Sequence, residues 1–289
     1  MELSAITPIQ YLDWSRVLPG RFCVAPIAMA HPEYLQFYAE ESRTNGYKVI
    51  LDNGTFESLE ISVEEYLGVA ETIQPHVIIA PDTIGGDTQE NFVRACDFAC
   101  QVLKALPETE VMYVPQCPKG QPKAFEATLQ NLAQEGTLFQ SVPPNLKYIG
   151  ICKDALHNAY GEWTHTNDQE LNRFYWVCHA QRTGLIAQLL ERGYKFHFLG
   201  IGDHLHLLAH YWFVESMDTA SLFLQSAHDQ QAQNGVLTSH VRRPSDFFKR
   251  AWFMDVEPTF MLFKHNCAVA EHYAGMAKTI KNQIQGDRI

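Results

Sequence analysis

Short apolar runs recur along this chain, each closed by a polar or turn-forming residue and each followed by a stretch of helical periodicity. The runs are Phe22–Ile27, Tyr47–Leu51, Val77–Ala80, Val111–Val114, Leu146–Ile149, Lys195–Leu199 and Val214–Met217. A short apolar run bounded by turn signals reads as a buried strand that surfaces at its carboxyl end. Strands alternating with helices imply parallel βαβ units, and this many favour a barrel over a doubly wound open sheet. The expectation is an α/β chain forming one (β/α)8 TIM-like barrel over residues 1–289, with the barrel core at about 22–240 and a helical extension at about 241–289. Barrels of this kind commonly take about 250 residues. No eighth strand can be assigned after Asp218.

The helical stretches carry their own signals. Tyr34, Phe37 and Tyr38 recur at helical spacing within Glu33–Glu41. Ser62-Val63-Glu64-Glu65 has the form of a capping box and opens a helix to about Ile73. Further helices are expected over Thr88–Leu106, Lys123–Gln134, Asp168–Arg192 and from His204 to Trp212.

With 46% hydrophobic and 19% charged residues, the chain has the composition of an ordinary globular protein. Its formal net charge is −11, which argues against a broad non-specific phosphate-binding surface but leaves room for a local one. Lys119 with Lys123, and Arg242, Arg243, Lys249 and Arg250, are the basic groups that qualify; on spacing alone each is also an ordinary solvated face. The seven cysteines form no CxxC pair and their number is odd, so neither a zinc ribbon nor a disulfide framework is expected, and reduced thiols in a cytoplasmic protein are the default. There is no basic start followed by an apolar signal region, and no apolar run long enough for a membrane span.

Chemistry is expected at the carboxyl ends of the strands, where the βα loops build one face of a barrel. Taken in order these ends are Asp52, Asp82, Gln116, Gly150, Gly200-Ile201-Gly202-Asp203 and Asp218. Any single Asp there is commonly a helix cap. Gln116 follows a proline and is a poor cap, so capping accounts less well for the whole set.

The order of these groups resembles the tRNA-guanine transglycosylase superfamily, and more closely its shorter relatives that insert 7-deazaguanines into phage and bacterial DNA. Asp52-Asn53-Gly54-Thr55-Phe56 matches that family's Asp-(Ser/Asn)-Gly-x-Phe motif, and Leu199-Gly200-Ile201-Gly202 looks like its sixth-strand turn. The resemblance covers about residues 22–222. It implies a base exchange at a sugar C1′ with Asp218 as nucleophile and Asp52 as general acid/base. It further implies contacts to a guanine-like base from Asp82, Gln116 and Gly150. Asp82 would accept from N1–H and the 2-amino group, while the Gln116 amide and the Gly150 N–H would donate to O6. Asn53, Gly54, Phe56, Gly200 and Asp203 complete the expected substrate contacts, with Glu57 a lesser candidate and Phe56 a stacking platform or a core aromatic.

Retention at the anomeric carbon requires two displacements and a covalent glycosyl-enzyme, for which two carboxylates suffice. No cofactor is expected. The partners implied are DNA and a free 7-deazaguanine base. Members acting on tRNA carry a zinc held by CxCxxC and a later His; here His265-x-Cys267-x4-His272 offers at most three ligands at an unfamiliar spacing, so no metal is expected and DNA is favoured as the polymer. The competing readings are the same chemistry on tRNA, a non-catalytic nucleic-acid-binding relative, and a metal-dependent barrel hydrolase using His197, His204, His206 and His210.

Overall fold

The computed structural model describes residues 1–134, 142–237, 241 and 243–286. The strands are β1 (Glu2–Ala5), β2 (Arg21–Val24), β3 (Val49–Asp52), β4 (Val77–Ile79), β5 (Glu110–Tyr113), β6 (Leu146–Cys152), β7 (Lys195–Leu199) and β8 (Val214–Thr219). The helices are α1 (Ala25–Ala30), α2 (Pro32–Arg43), α3 (Val63–Ile73), α4 (Thr88–Ala105), α5 (Pro122–Ala133), α6 (Lys153–Thr164), α7 (Gln169–Arg182), α8 (Leu185–Glu191), α9 (Ser221–Ala227) and α10 (Val256–Gly286). The strands form one sheet in the order β1-β8-β7-β6-β5-β4-β3-β2, and a parallel bridge joins Ser4 in β1 to Gly20, just ahead of β2. This is the (β/α)8 class of fold.

The strand missing from the sequence reading lies at the amino terminus. Glu2-Leu3-Ser4-Ala5 is too short and too polar to stand out, yet Leu3, Ser4 and Ala5 are buried and pair in register with Met217, Asp218 and Thr219. The first strand of the barrel therefore precedes residue 22, where the core had been expected to begin. The extension beyond 241 is also corrected, since its helix, α10, begins only at Val256.

By contacts the chain divides into two compact units, one of Met1–Phe22 with Phe198–Ile289, the other of Cys23–His197. In the second unit, β3, β4, β5 and β6 pair in parallel, and their helices bury apolar stripes against them. The Ser62 hydroxyl accepts from the Glu65 N–H while the Glu65 carboxylate accepts from the Ser62 N–H, so the capping box is complete. Tyr66 from α3 stacks on Phe98 from α4 with ring centroids 5.5 Å apart. The helix expected over 168–192 is two helices: Gly184 takes a left-handed φ of 77° and divides α7 from α8. Helix α6 went unread because it follows β6 without a turn signal, Cys152 being both the last strand residue and the N-cap.

A polar network fastens the amino ends of the strands in this unit. Lys48 Nζ donates to the hydroxyl of the buried Tyr148 at 2.6 Å, and Lys195 Nζ donates to both oxygens of Glu110 at 2.8 and 2.7 Å. Both ammonium groups also lie about 5 Å from the Tyr148 ring centroid. In the first unit, α10 packs on β1, α9 and the 3-10 segment Leu205–His210, and an aromatic cluster of Tyr11, Trp14, Phe223, Phe260 and Phe263 fills the space between them.

Candidate active site

In the unit Cys23–His197, the carboxyl ends of β3, β4 and β5 bring together Asp52, Asn53, Asp82 and Gln116. Asp52 is the last residue of β3 and is half-buried. Asn53 follows it and is 5% exposed. Its Nδ2 donates to the Ala80 carbonyl and to Asp82 Oδ1, both at 2.9 Å, and its Oδ1 accepts the Thr55 N–H at 2.8 Å. From the other side, Gln116 Nε2 donates to Asp82 Oδ2 at 2.7 Å. Each oxygen of the Asp82 carboxylate thus receives one amide N–H. Both ends of the Asn53 amide are engaged within the protein, so Asn53 holds Asp82 in position.

Burial pushes the Asp82 carboxyl above the ordinary aspartate value, and hydrogen bonds from Asn53, Gln116 and Thr55 pull it part of the way back. Gln116 is 1% exposed, and its Oε1 has no hydrogen-bond partner among the described residues. A buried acceptor left unmade costs about 1–3 kcal/mol. Gln116 thus carries an acceptor in Oε1 and, in Nε2, a second N–H beyond the one given to Asp82.

Beneath this face, the buried Tyr66 hydroxyl is within 2.9 Å of both the Leu51 and the Ile79 carbonyls, tying β3 to β4 just below the two acids. Burial raises the Tyr66 hydroxyl far above its usual value, and the negative charge of Asp52 adds to this. Cys23 is raised in the same way by burial and then by Asp52. Neither residue was identified from sequence. Tyr66 carries only the periodicity of a helix with its inward phase at Tyr66, Val69, Ala70 and Ile73, which reports burial and not the hydroxyl's target.

Gly54 adopts φ 79°, and a Cβ there would lie 2.6 Å from Pro26 Cγ, so the turn after Asp52 requires glycine on two counts. Phe56 stands 58% exposed beyond that turn and is not a core aromatic. Glu57 is half-buried. Gly150 lies inside β6, which continues to Cys152, and is not the first residue past the strand. Lys119 is exposed and 3.7 Å from Glu162, and Lys123 is exposed on the first turn of α5.

In the other unit, Asp218 lies within β8, one residue before its end, and is 4% exposed. The Gly200 N–H donates to Asp218 Oδ1 at 3.1 Å, and the Ile201 N–H donates to the Asp218 carbonyl at 2.8 Å. Gly200 reaches this position with φ 70°, which explains a glycine directly after β7. The Ile201 carbonyl accepts in turn from the hydroxyls of Thr219 and Ser221 at 3.4 and 3.2 Å, so the turn after β7 is laced to the end of β8. Asp203 is half-buried, and its carbonyl accepts the Leu237 N–H. Arg243, Lys249 and Arg250 lie on the irregular segment ahead of α10; Arg242 lies outside the described residues.

Among the described residues the histidines do not assemble a metal centre. His197 is fully buried in β7, His206 Nδ1 meets the Gly235 carbonyl, and His265 meets Gln231. Among the described residues no three of His, Cys, Asp and Glu are grouped to hold a metal ion. No helix among the described residues is long and apolar enough to cross a membrane.

Together the fold and these side chains define a (β/α)8 protein with carboxylates and amides at the carboxyl ends of its strands. The sequence matches no known family model and no curated protein.

Proposed function

We propose that this protein is a base-exchange transglycosylase that replaces guanine in DNA with a 7-deazaguanine through a covalent Asp-glycosyl intermediate. The observation that carries this reading is the half-buried Asp82 carboxylate, held through both oxygens by Asn53 and Gln116 at the carboxyl ends of the strands. A carboxylate so held is an acceptor and is complementary to an edge rich in donors. A guanine-type base offers one in N1–H and its 2-amino group.

In the proposed reaction the Asp218 carboxylate attacks C1′ as the C1′–N9 bond breaks, and that electron pair goes to the departing guanine. Asp52, protonated, supplies the proton the leaving base takes up. After guanine departs, the incoming 7-deazaguanine gives its N9 proton to the Asp52 carboxylate, and N9 attacks C1′ to release Asp218. Two displacements return the original anomeric configuration. The hydrogen bond from Gly200 to Asp218 Oδ1 supports the nucleophile's part, because it holds the carboxylate in one orientation.

The test is nucleoside analysis of DNA from cells that express the protein and supply a free 7-deazaguanine base. A deazaguanine nucleoside in DNA is the expected product. Ordinary deoxyguanosine alone overturns the DNA reading, and a modified nucleoside found only in tRNA reassigns the polymer.

A further inference from the structure

Phe253 is 97% exposed, although the segment that displays it is firmly fastened. The Ile9 N–H donates to the Phe248 carbonyl at 3.1 Å, and the Tyr11 hydroxyl donates to the Trp252 carbonyl at 3.4 Å. The Trp252 indole N–H donates to the Phe247 carbonyl at 3.3 Å, and its ring lies 5.3 Å from Phe223 and 6.0 Å from Phe247. Phe223 belongs to α9, the helix that follows β8 and Asp218, and Ile9 lies just past the carboxyl end of β1, where the Ile6 N–H meets the Thr219 carbonyl at 2.7 Å. These contacts fasten residues 247–252 at the end of β1 and β8 that carries Asp218. A rigid support that holds a phenylalanine entirely in water has no use in packing.

The chain that leads to Phe253 is basic and aromatic. Arg243 lies 5.8 and 5.9 Å from the Phe247 and Phe248 ring centroids, and Arg250 lies 5.4 Å from that of Trp252. Lys249, next to Arg250 in the sequence, is exposed. Between Arg243 and Arg250 the only acid is Asp246, at 3.9 Å from Arg250; Asp255 and Glu257 follow Phe253. In a chain of net charge −11 this stretch is a local concentration of cations interleaved with aromatics. That combination suits an unpaired nucleic-acid strand, whose phosphates meet the cations while its bases stack on exposed rings.

We propose that Phe253 is the stacking platform of a nucleic-acid surface, on which a base of an unpaired or locally unstacked strand lies while the strand's phosphates pair with Arg243, Lys249 and Arg250. The proposal rests on the base-exchange reading to this extent, that it supplies a hold on the polymer at the end of β8 that carries Asp218. A base must leave its stack before C1′ can be attacked, and a ring standing in its place offsets part of that cost.

The experiment uses the full chain and single-stranded oligonucleotides containing 2-aminopurine, one set DNA and one set RNA, with binding followed by anisotropy and stacking by quenching of the 2-aminopurine emission. Phe253→Ala leaves folding intact because the ring touches nothing it could unpack. It is expected to abolish the quench and weaken binding roughly 5- to 150-fold, the range for one base–aromatic stack. Lys249→Ala is expected to keep the quench and lower the slope of log affinity against log salt by about 0.7. Comparison of the two sets tells which polymer is held. Wild-type protein that binds neither polymer overturns the proposal, as does Phe253→Ala that binds and quenches like wild type. A dimer lost in Phe253→Ala, with nucleic-acid binding unaltered, overturns it in favour of a contact between copies. If Phe253-dependent binding is found without any base exchange, the transglycosylase reading falls and the nucleic-acid surface stands.

Discussion

Replacing Asn53 by Ala tests whether this residue holds Asp82 in its charged form. The substitution removes two N–H donors, one to the Ala80 carbonyl and one to Asp82 Oδ1, together with the acceptor for the Thr55 N–H. Losing the neutral bonds costs about 1–2 kcal/mol, and losing the bond to the carboxylate about 1.5–3 kcal/mol where the carboxylate is ionised. The pH dependence separates the two. Asp82 is raised from 3.8 by burial and pulled back first by Asn53, so its carboxyl in Asn53→Ala is raised further than in the wild type. An acid whose folded value lies above its unfolded value contributes stability at low pH, and that contribution is lost as pH rises through the folded value. In the variant this loss continues to higher pH. The stability gap between wild type and variant is therefore smaller near pH 3.8 and larger at pH 7.5, by about 1.4 kcal/mol for each unit of additional shift. Urea denaturation at both pH values measures the gap directly, and the Asp82 carboxyl 13C resonance, assigned with Asp82→Asn, gives the midpoint. A gap of the same size at both pH values, with an unmoved Asp82 midpoint, would refute the positioning role and leave Asn53 a packing residue.

Two further outcomes probe the same end of the sheet. Gly54→Ala introduces a Cβ 2.6 Å from Pro26 at φ 79° and is expected to destabilise by about 1–3 kcal/mol in chemical denaturation, since both strain and overlap act against it. Cys152, pushed up to about 12 chiefly by burial, is expected to react with iodoacetamide at pH 8 far more slowly in the folded protein than after unfolding, as read by mass spectrometry of the alkylated peptide.

The repeating strand–helix alternation was legible because buried parallel strands are apolar on both faces, and runs such as Val77-Ile78-Ile79 satisfy that plainly. Strand β1 was not legible, because half of Glu2-Leu3-Ser4-Ala5 is polar and its burial comes from pairing with β8, a partner more than 200 residues distant. Helix breaks at αL glycines followed the same limit: Gly184 is one residue in a long helical pattern, and periodicity continues on both sides of it. At the site, the acids and Gln116 were marked by position, since each falls at the end of an apolar run. What position does not encode is partnership. Nothing in the spacing of Asn53, Asp82 and Gln116 tells that two amides converge on one carboxylate, or that Tyr66 reaches the carbonyls beneath it. Those facts arise from strand order, and they make Asn53 and Gln116 the residues that hold Asp82 in place.

The central claim is that Asp218 exchanges a base through a covalent glycosyl intermediate, and the most direct measurement is release of labelled guanine from DNA by the purified protein in the presence of 7-deazaguanine. Wild-type protein is expected to release label in proportion to deazaguanine incorporated, with Asp218→Asn at least about a thousandfold slower while still folded. Label released by Asp218→Asn at the wild-type rate, or no label released by either protein, would contradict the account.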